Sequence, residues 1–271
     1  MMSAPAFVPS RRSQRGIAAL TLFAVLAPWL AAGLLPSLAQ PQSYHDFADQ
    51  RAWLGIPHAL NVVSNLPFLV VGLLGCRLFA DARIASSSPS ARAPWAVMFI
   101  GVALTAFGSA FYHLDPTDAT LVWDRLPMAL GFAGLVAGTL ADRAPRIGAP
   151  VLALLVAVGI VSVIAWGTNG NLIPYLAMQL SFIAAAIAAT ATIRSPWPRA
   201  RWLYGAVALY AAAIFSERLD HPIESVLGGV MSGHTLKHLL AAASAYVIYR
   251  MLKARAPNAA AEPADSRLGA F

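Results

Sequence analysis

Charged residues are scarce in this sequence. Asp, Glu, Lys and Arg together make up 11% of the 271 residues, whereas soluble domains carry about 25%. Hydrophobic residues make up 58%, and the mean hydropathy is +0.64. A soluble domain of ordinary composition is therefore excluded, and the composition indicates a protein that crosses a membrane several times.

Cysteine is nearly absent too. Cys76 is the single cysteine, so a disulfide within the chain is excluded and thiols give no information about the compartment. The formal net charge is +7, but no basic block with interleaved aromatic residues appears, which argues against nucleic-acid binding. No internal repeat is visible.

Long apolar runs dominate what is present. A helix needs roughly 20 residues to cross a bilayer, and backbone groups in lipid must bond within their own segment. We therefore expect an all-α membrane protein of eight helices. The predicted helices cover residues 17–38, 58–80, 95–114, 120–141, 148–167, 172–193, 200–217 and 234–252.

The basic residues predict the orientation, because cytoplasmic loops are enriched in Lys and Arg. With the N-terminus in the cytoplasm, most arginines fall on the inner side in loop after loop. The basic residues left for the outer side are Arg51, Arg125, Arg218 and Lys237. The Ala-rich, Arg-dominated composition is compatible with a high-GC bacterium. We expect a protein of the bacterial inner membrane with both termini in the cytoplasm.

The two ends of the chain are expected to lie outside the helix bundle, and the first apolar segment has two interpretations. Residues 1–16 are expected to be a cytoplasmic segment, and the Ala/Pro-rich residues 254–271 a disordered tail. Residues 17–38 follow a basic start and end in "SLA", which is also the pattern of a signal peptide. The apolar body is longer than the usual 7–15 residues of such a peptide, so a retained extra helix is favoured.

The histidines mark one side of the membrane. All six fall in predicted outer loops or outer helix ends: His45, His58, His113, His221, His234 and His238. His234 and His238 are four residues apart and share a helix face, as do Ser109 and His113. Asp124 opens the next helix at the same depth. Three histidines at one depth match the ligand set of catalytic zinc sites, which leave a position for water.

Plainer interpretations exist for each residue alone. Ser109 lies between Gly108 and Ala110 and suits small-residue helix packing, and Asp124 suits the positive end of a helix dipole. His45 and His221 are best explained as interfacial residues. The seven tryptophans fall near predicted interfaces and indicate an aromatic belt. The shared depth of Ser109, Asp124 and the three histidines raises the combination above chance.

These motifs resemble the alkaline ceramidase family, within a superfamily of seven-helix membrane hydrolases that includes the adiponectin receptors. The similar features are S-x-x-x-H on one helix, Asp at the start of the next, H-x-x-x-H on the last, and "LNVVSNLPF" at residues 60–68. The resemblance covers roughly residues 45–253. It implies a seven-helix hydrolase core, preceded here by one extra helix.

The resemblance also implies an activity and its residues. It implies a zinc amidase that cleaves the N-acyl bond of ceramide or a related N-acyl lipid in the membrane. His113, His234 and His238 match the zinc ligands, Asp124 the residue that orients or deprotonates the attacking water, and Ser109 a support for the oxyanion or that water. Asn61, Ser64 and Asn65 look like packing and supporting residues.

The sequence matches the calcium site of this family less well than the zinc site. Eukaryotic alkaline ceramidases carry an acidic calcium site just before this helix. Asp46 and Asp49 supply carboxylates here, but His58 stands where an acidic ligand is expected.

Two non-hydrolase interpretations stay open. A receptor-like or metal-carrying membrane protein would use the same histidines, although a carrier should have polar residues along a path across the membrane, and the inner helix halves are almost wholly apolar. Haem ligation would leave Asp124 and Ser109 unexplained. The sequence favours the enzyme.

Overall fold

The apolar runs form helices that alternate in direction through one bundle. The structure, a computed structural model, describes residues 10–80, 89–144, 148–197 and 199–255. The predictions for residues 1–9, for the loop at 81–88 and for the tail from residue 256 lie outside the described residues. The helices are α1 (Arg11–Leu34), α2 (Ala59–Val63), α3 (Leu66–Ala80), α4 (Pro89–Leu114), α5 (Asp118–Ala141), α6 (Gly148–Asn169), α7 (Ile173–Thr192), α8 (Trp202–Arg218), α9 (Asp220–Val226) and α10 (Gly233–Lys253), with a short 3-10 turn at Gln42–His45.

Six of these segments are long and apolar enough to cross a membrane. They are α1, α2 with α3, α4, α5, α6 from Pro150 onward, and α7. The all-α membrane class is thus confirmed. The prediction of eight membrane-spanning helices is not confirmed. Helix α8 is short, at 17 residues, and α10 carries three charged residues, Lys237, Arg250 and Lys253. That these two helices also cross the membrane stays a prediction.

Several helix boundaries differ from the prediction, and for the first two predicted helices the reasons are local. The first helix begins at Arg11 rather than 17, because the Ser10 side chain accepts a hydrogen bond from the Ser13 amide as an N-cap. It ends at Leu34, because Leu35 precedes a proline and adopts an extended conformation. The predicted helix 58–80 is split into α2 and α3, because Pro67 lacks the N–H that an unbroken helix would need.

Close packing of α4 against α5 positions one half of the site. A Cβ atom at Gly108 would lie 2.1 Å from the carbonyl oxygen of Trp123. Only glycine permits this approach, because the obstacle is backbone and cannot rotate away. The neighbouring Ser109 is thereby brought against the face of α5 that carries Asp124.

Close packing at the start of α10 positions the other half. A Cβ atom at Gly233 would lie 2.3 Å from the carbonyl oxygen of Ser216 in α8. The next amide, of His234, donates to the Asp220 carboxylate at 2.6 Å. The first turn of α10 is therefore fixed against the turn between α8 and α9.

A buried ion pair joins two helix ends at the opposite end of the bundle. Arg255, just after α10, donates two hydrogen bonds to Asp142 at the end of α5, at 2.8 and 2.5 Å. Both side chains are almost fully buried. The chain thus separates two polar ends, and all of the predicted site residues lie at the end away from Asp142.

The prediction that the tryptophans form a belt at the membrane interfaces is only partly correct. Trp29, Trp53, Trp123 and Trp202 are exposed, as membrane-facing side chains would be, whereas Trp95 and Trp166 are 1% and 2% exposed. Those two side chains lie inside the bundle.

Candidate metal centre

Three histidines from two helices meet inside the bundle. His113 comes from the last turn of α4, and His234 and His238 from the first turns of α10. One ring nitrogen of each lies within 4.8 Å of those of the other two. All three residues are buried, with His113 0% exposed. The structure therefore brings together the three predicted ligands, which lie up to 125 positions apart in the chain.

The spacing of the rings fits a metal ion. The Nε2 atoms of His113 and His238 are 3.4 Å apart, longer than the usual 2.9–3.0 Å of a direct N–H hydrogen bond. Two imidazoles bound to one zinc ion at roughly 2.0–2.1 Å in tetrahedral geometry have nitrogens about 3.3–3.4 Å apart. Nε2 of His234 is buried and has no hydrogen-bond partner. A buried nitrogen without a partner is costly unless it has a ligand to bind, so the residues present fit a metal.

Ser64 fixes the tautomer of His238. The Ser64 hydroxyl donates its one proton to the Asn61 carbonyl at 3.1 Å and lies 2.8 Å from Nδ1 of His238. With its proton committed, the hydroxyl accepts from Nδ1–H. Nε2 of His238 then carries the lone pair, on the side that faces His113. Ser64 thus contacts one of the three predicted ligands directly.

Asn61 holds α2 against the histidine helix. Its side-chain oxygen accepts hydrogen bonds from the hydroxyls of Thr235 at 2.7 Å and Ser232 at 3.3 Å. Asn65 in turn donates to the Asn61 carbonyl at 2.8 Å. These polar residues therefore position α10 rather than face the metal centre.

An aromatic ring from the segment between α1 and α2 packs against two of the three histidines. The ring of Phe47 lies 4.6 Å from that of His113 and 4.7 Å from that of His234, measured between centroids. Phe47 is 2% exposed. This apolar cover lowers the local dielectric constant and strengthens any charge interaction at the centre.

The predicted serine and aspartate also meet. Ser109 and Asp124 are both buried, and the Ser109 hydroxyl lies close enough to the Asp124 carboxylate to interact with it. A hydroxyl has one proton, so Ser109 cannot donate it to Asp124 and to an oxyanion at the same time.

A charged network lies next to His234, centred on Glu217, which the sequence offers with Asp220 as an acceptor for the histidine rings. The Glu217 carboxylate forms a short ion pair with Lys237 and accepts a hydrogen bond from the Tyr44 phenol at 2.8 Å. It lies 3.9 Å from Nδ1 of His234. Burial, and after it the Glu217 carboxylate, raise the pKa of Tyr44 well above its ordinary value. Tyr44 therefore remains a hydrogen-bond donor.

Asp49, one of the carboxylates considered for a calcium site, has hydrogen bonds to both of its oxygens. One carboxylate oxygen of Asp49 accepts from Arg51 at 2.8 Å. The other accepts from the backbone amides of Leu60 and Asn61, at 3.0 and 3.4 Å. Asp49 therefore caps the start of α2, which His58 enters with a left-handed backbone. A structural role accounts for this carboxylate.

No protein-family model matches the chain, and no curated protein is significantly similar to it. The ceramidase resemblance thus depends on the sequence motifs alone.

Proposed function

We propose that this protein is a zinc-dependent membrane amidase that hydrolyses the N-acyl bond of ceramide or of a related N-acyl lipid. The products would be a free fatty acid and an amino-lipid base. The observation that carries the proposal is the group His113, His234 and His238, buried together with the partnerless nitrogen of His234. The neighbouring Ser109 and Asp124 at the same end of the bundle support a catalytic use of that centre.

The donor set favours zinc. Three neutral imidazoles that leave one coordination position open are the ligands of a catalytic zinc site. A zinc ion bound there would act as a Lewis acid toward the amide carbonyl and would make water nucleophilic near neutral pH.

Asp124 is the proposed general base. It accepts a proton from the attacking water as the water oxygen bonds to the acyl carbon, and it returns the proton to the amide nitrogen as the C–N bond breaks. Ser109, which lies beside the carboxylate, is proposed to position it for both transfers by donating a hydrogen bond. Balanced over the cycle, one water and one amide give one carboxylic acid and one amine.

A metal carrier is the less favoured alternative. It would need polar groups along the bundle, from the histidines to the end that holds Asp142. Buried side chains of the core toward that end include Phe99, Val136 and Leu140, each 0% exposed. Such side chains stabilise the bundle but offer no ligands.

The test is the substitution Asp124→Asn in purified protein. We expect zinc content and fold to be retained while release of fatty acid from labelled N-acyl lipids falls about 10²–10⁴-fold, the usual contribution of a general base. Asp115→Asn, at an exposed carboxylate just before α5, is the matched control and should keep full turnover. Undiminished release by Asp124→Asn would remove Asp124 from the mechanism. No release of fatty acid from any N-acyl lipid by zinc-loaded wild type would favour a receptor-like or carrier role.

A further inference from the structure

Arg125 is a buried cation that the proposed chemistry does not use. It follows Asp124 on α5 and is 5% exposed. Among the described residues no carboxylate lies within ion-pair distance of its guanidinium, and its Nη1 atom is buried without a hydrogen-bond partner. Burying a positive charge without a carboxylate partner is costly. Such a group within a membrane-spanning segment is a functional candidate.

Three separate elements hold this guanidinium in place. It stacks 3.9 Å from the ring centroid of Trp166 in α6 and 4.7 Å from that of Tyr175 in α7. Its Nη2 atom donates to the side-chain oxygen of Gln40 at 2.6 Å. Stacking uses the faces of a guanidinium and leaves its N–H edge free in the plane. The Arg125 edge is thus preorganised while Nη1 still lacks an acceptor.

We propose that Arg125 binds an oxyanion in the head group of the substrate, a carboxylate or a phosphate, and so makes the enzyme selective for acidic N-acyl lipids over neutral ones. This inference rests on the proposed amidase function and narrows its substrate class to acidic N-acyl lipids, so that ceramide, which is neutral, would be a poor substrate. A guanidinium edge matches the two oxygens of such a group. Gln40 lies between α1 and the 3-10 turn, so an anion can replace its amide as a partner without unfolding a helix.

Position supports a role in substrate recognition rather than in packing alone. Arg125 lies within electrostatic range of Asp124, and its guanidinium is 5.9 Å from the ring of Tyr44. Tyr44 contacts Glu217, which lies beside His234. Arg125 is therefore connected to the metal centre through neighbouring side chains, as a head-group subsite should be.

The first experiment compares turnover of three N-acyl substrates of equal chain length. N-dodecanoylglycine carries a carboxylate, N-dodecanoylglycinamide is its neutral counterpart, and N-dodecanoylphosphoethanolamine carries a phosphate. We expect wild type to prefer an acidic substrate, and the better of the two acids identifies the oxyanion. Arg125→Gln should reduce that preference about 10- to 100-fold, because a hydrogen bond between charged groups is lost.

Two controls separate recognition from folding. Arg218→Gln removes an exposed positive charge at the end of α8, at the same end of the bundle, and should keep the wild-type preference. The wild-type comparison of acid with amide needs no variant, so it stays decisive even if Arg125→Gln does not fold. Equal turnover of acid and amide by wild type would overturn the inference, as would an unchanged preference in folded Arg125→Gln.

A second experiment measures binding without hydrolysis. N-dodecanesulfonylglycine retains the carboxylate but has no amide carbonyl, and its carboxamide is the neutral control. We expect the acid to bind wild type about 10- to 100-fold more tightly than the carboxamide, and Arg125→Gln to lose this difference. Arg125-dependent binding of the acid without cleavage of any substrate would refute the amidase but not the anion site. Cleavage with no dependence on Arg125 would refute the anion site alone.

Discussion

Removal of the Ser64 hydroxyl should weaken the metal centre without removing a ligand. In Ser64→Ala, Nδ1 of His238 loses its partner at 2.8 Å. The site is buried, so water does not readily replace the hydroxyl. The imidazole is then free to shift its proton to Nε2, and that tautomer has no lone pair to bind a metal at Nε2.

The size of the effect follows from the cost of one unsatisfied buried group. Losing the hydroxyl acceptor of this buried Nδ1–H costs about 1–3 kcal/mol, and every 1.4 kcal/mol is a factor of ten in affinity. Zinc affinity should therefore fall roughly 5- to 150-fold. Mutation of groups that hold metal-binding histidines typically costs 10–100-fold, which agrees.

The assay is a competition titration of zinc between the purified protein and a chromogenic chelator. Ser64→Thr retains a hydroxyl and should keep affinity near that of wild type. Ser181→Ala removes a buried hydroxyl in α7 that bonds to the Met178 carbonyl, and is the matched control. Equal zinc affinity for Ser64→Ala and Ser181→Ala would refute the role of Ser64 in fixing the tautomer.

Two further predictions concern packing and topology. Gly108→Ala should lower both the thermal midpoint and the turnover, because its Cβ would lie 2.1 Å from a backbone oxygen of α5. The control is Gly131→Ala, whose added Cβ would lie 3.8 Å from the nearest atom. It should change neither quantity by a comparable amount. Equal thermal midpoints for the two variants would contradict the packing argument. In a Cys76→Ser background, an impermeant thiol reagent should label Asp115→Cys but not Arg199→Cys in intact cells, and the opposite pattern would reverse the orientation.

The helices were predictable because apolar length is a local property of the sequence. The break between α2 and α3 was missed, because hydropathy does not register the missing N–H of Pro67. The end of the first helix at Leu34 was missed for the related reason that a following proline disfavours helical geometry one residue earlier.

The metal centre was predictable in part. His234 and His238 are four residues apart, so they share a face of any helix that contains them. His113 was expected near them because it lies at a helix end on the same side of the membrane. The contact from Ser64 to His238 joins residues 174 positions apart, so its direct form depends on tertiary packing.

The cations near the site could not be interpreted from sequence. Arg125 and Lys237 were counted as outer-side charges, since a single basic residue at a helix end looks the same whether it faces water or the core. The burial of Arg125 depends on Gln40, Trp166 and Tyr175, and those contacts form only when distant helices pack.

Zinc stoichiometry of the purified protein tests the central claim most directly. Elemental analysis should find about one zinc per chain in wild type, as expected for three protein ligands around one ion. His238→Ala should lose most of that zinc, because two imidazoles remain. Full zinc content in His238→Ala would contradict the assignment of these histidines as the metal centre.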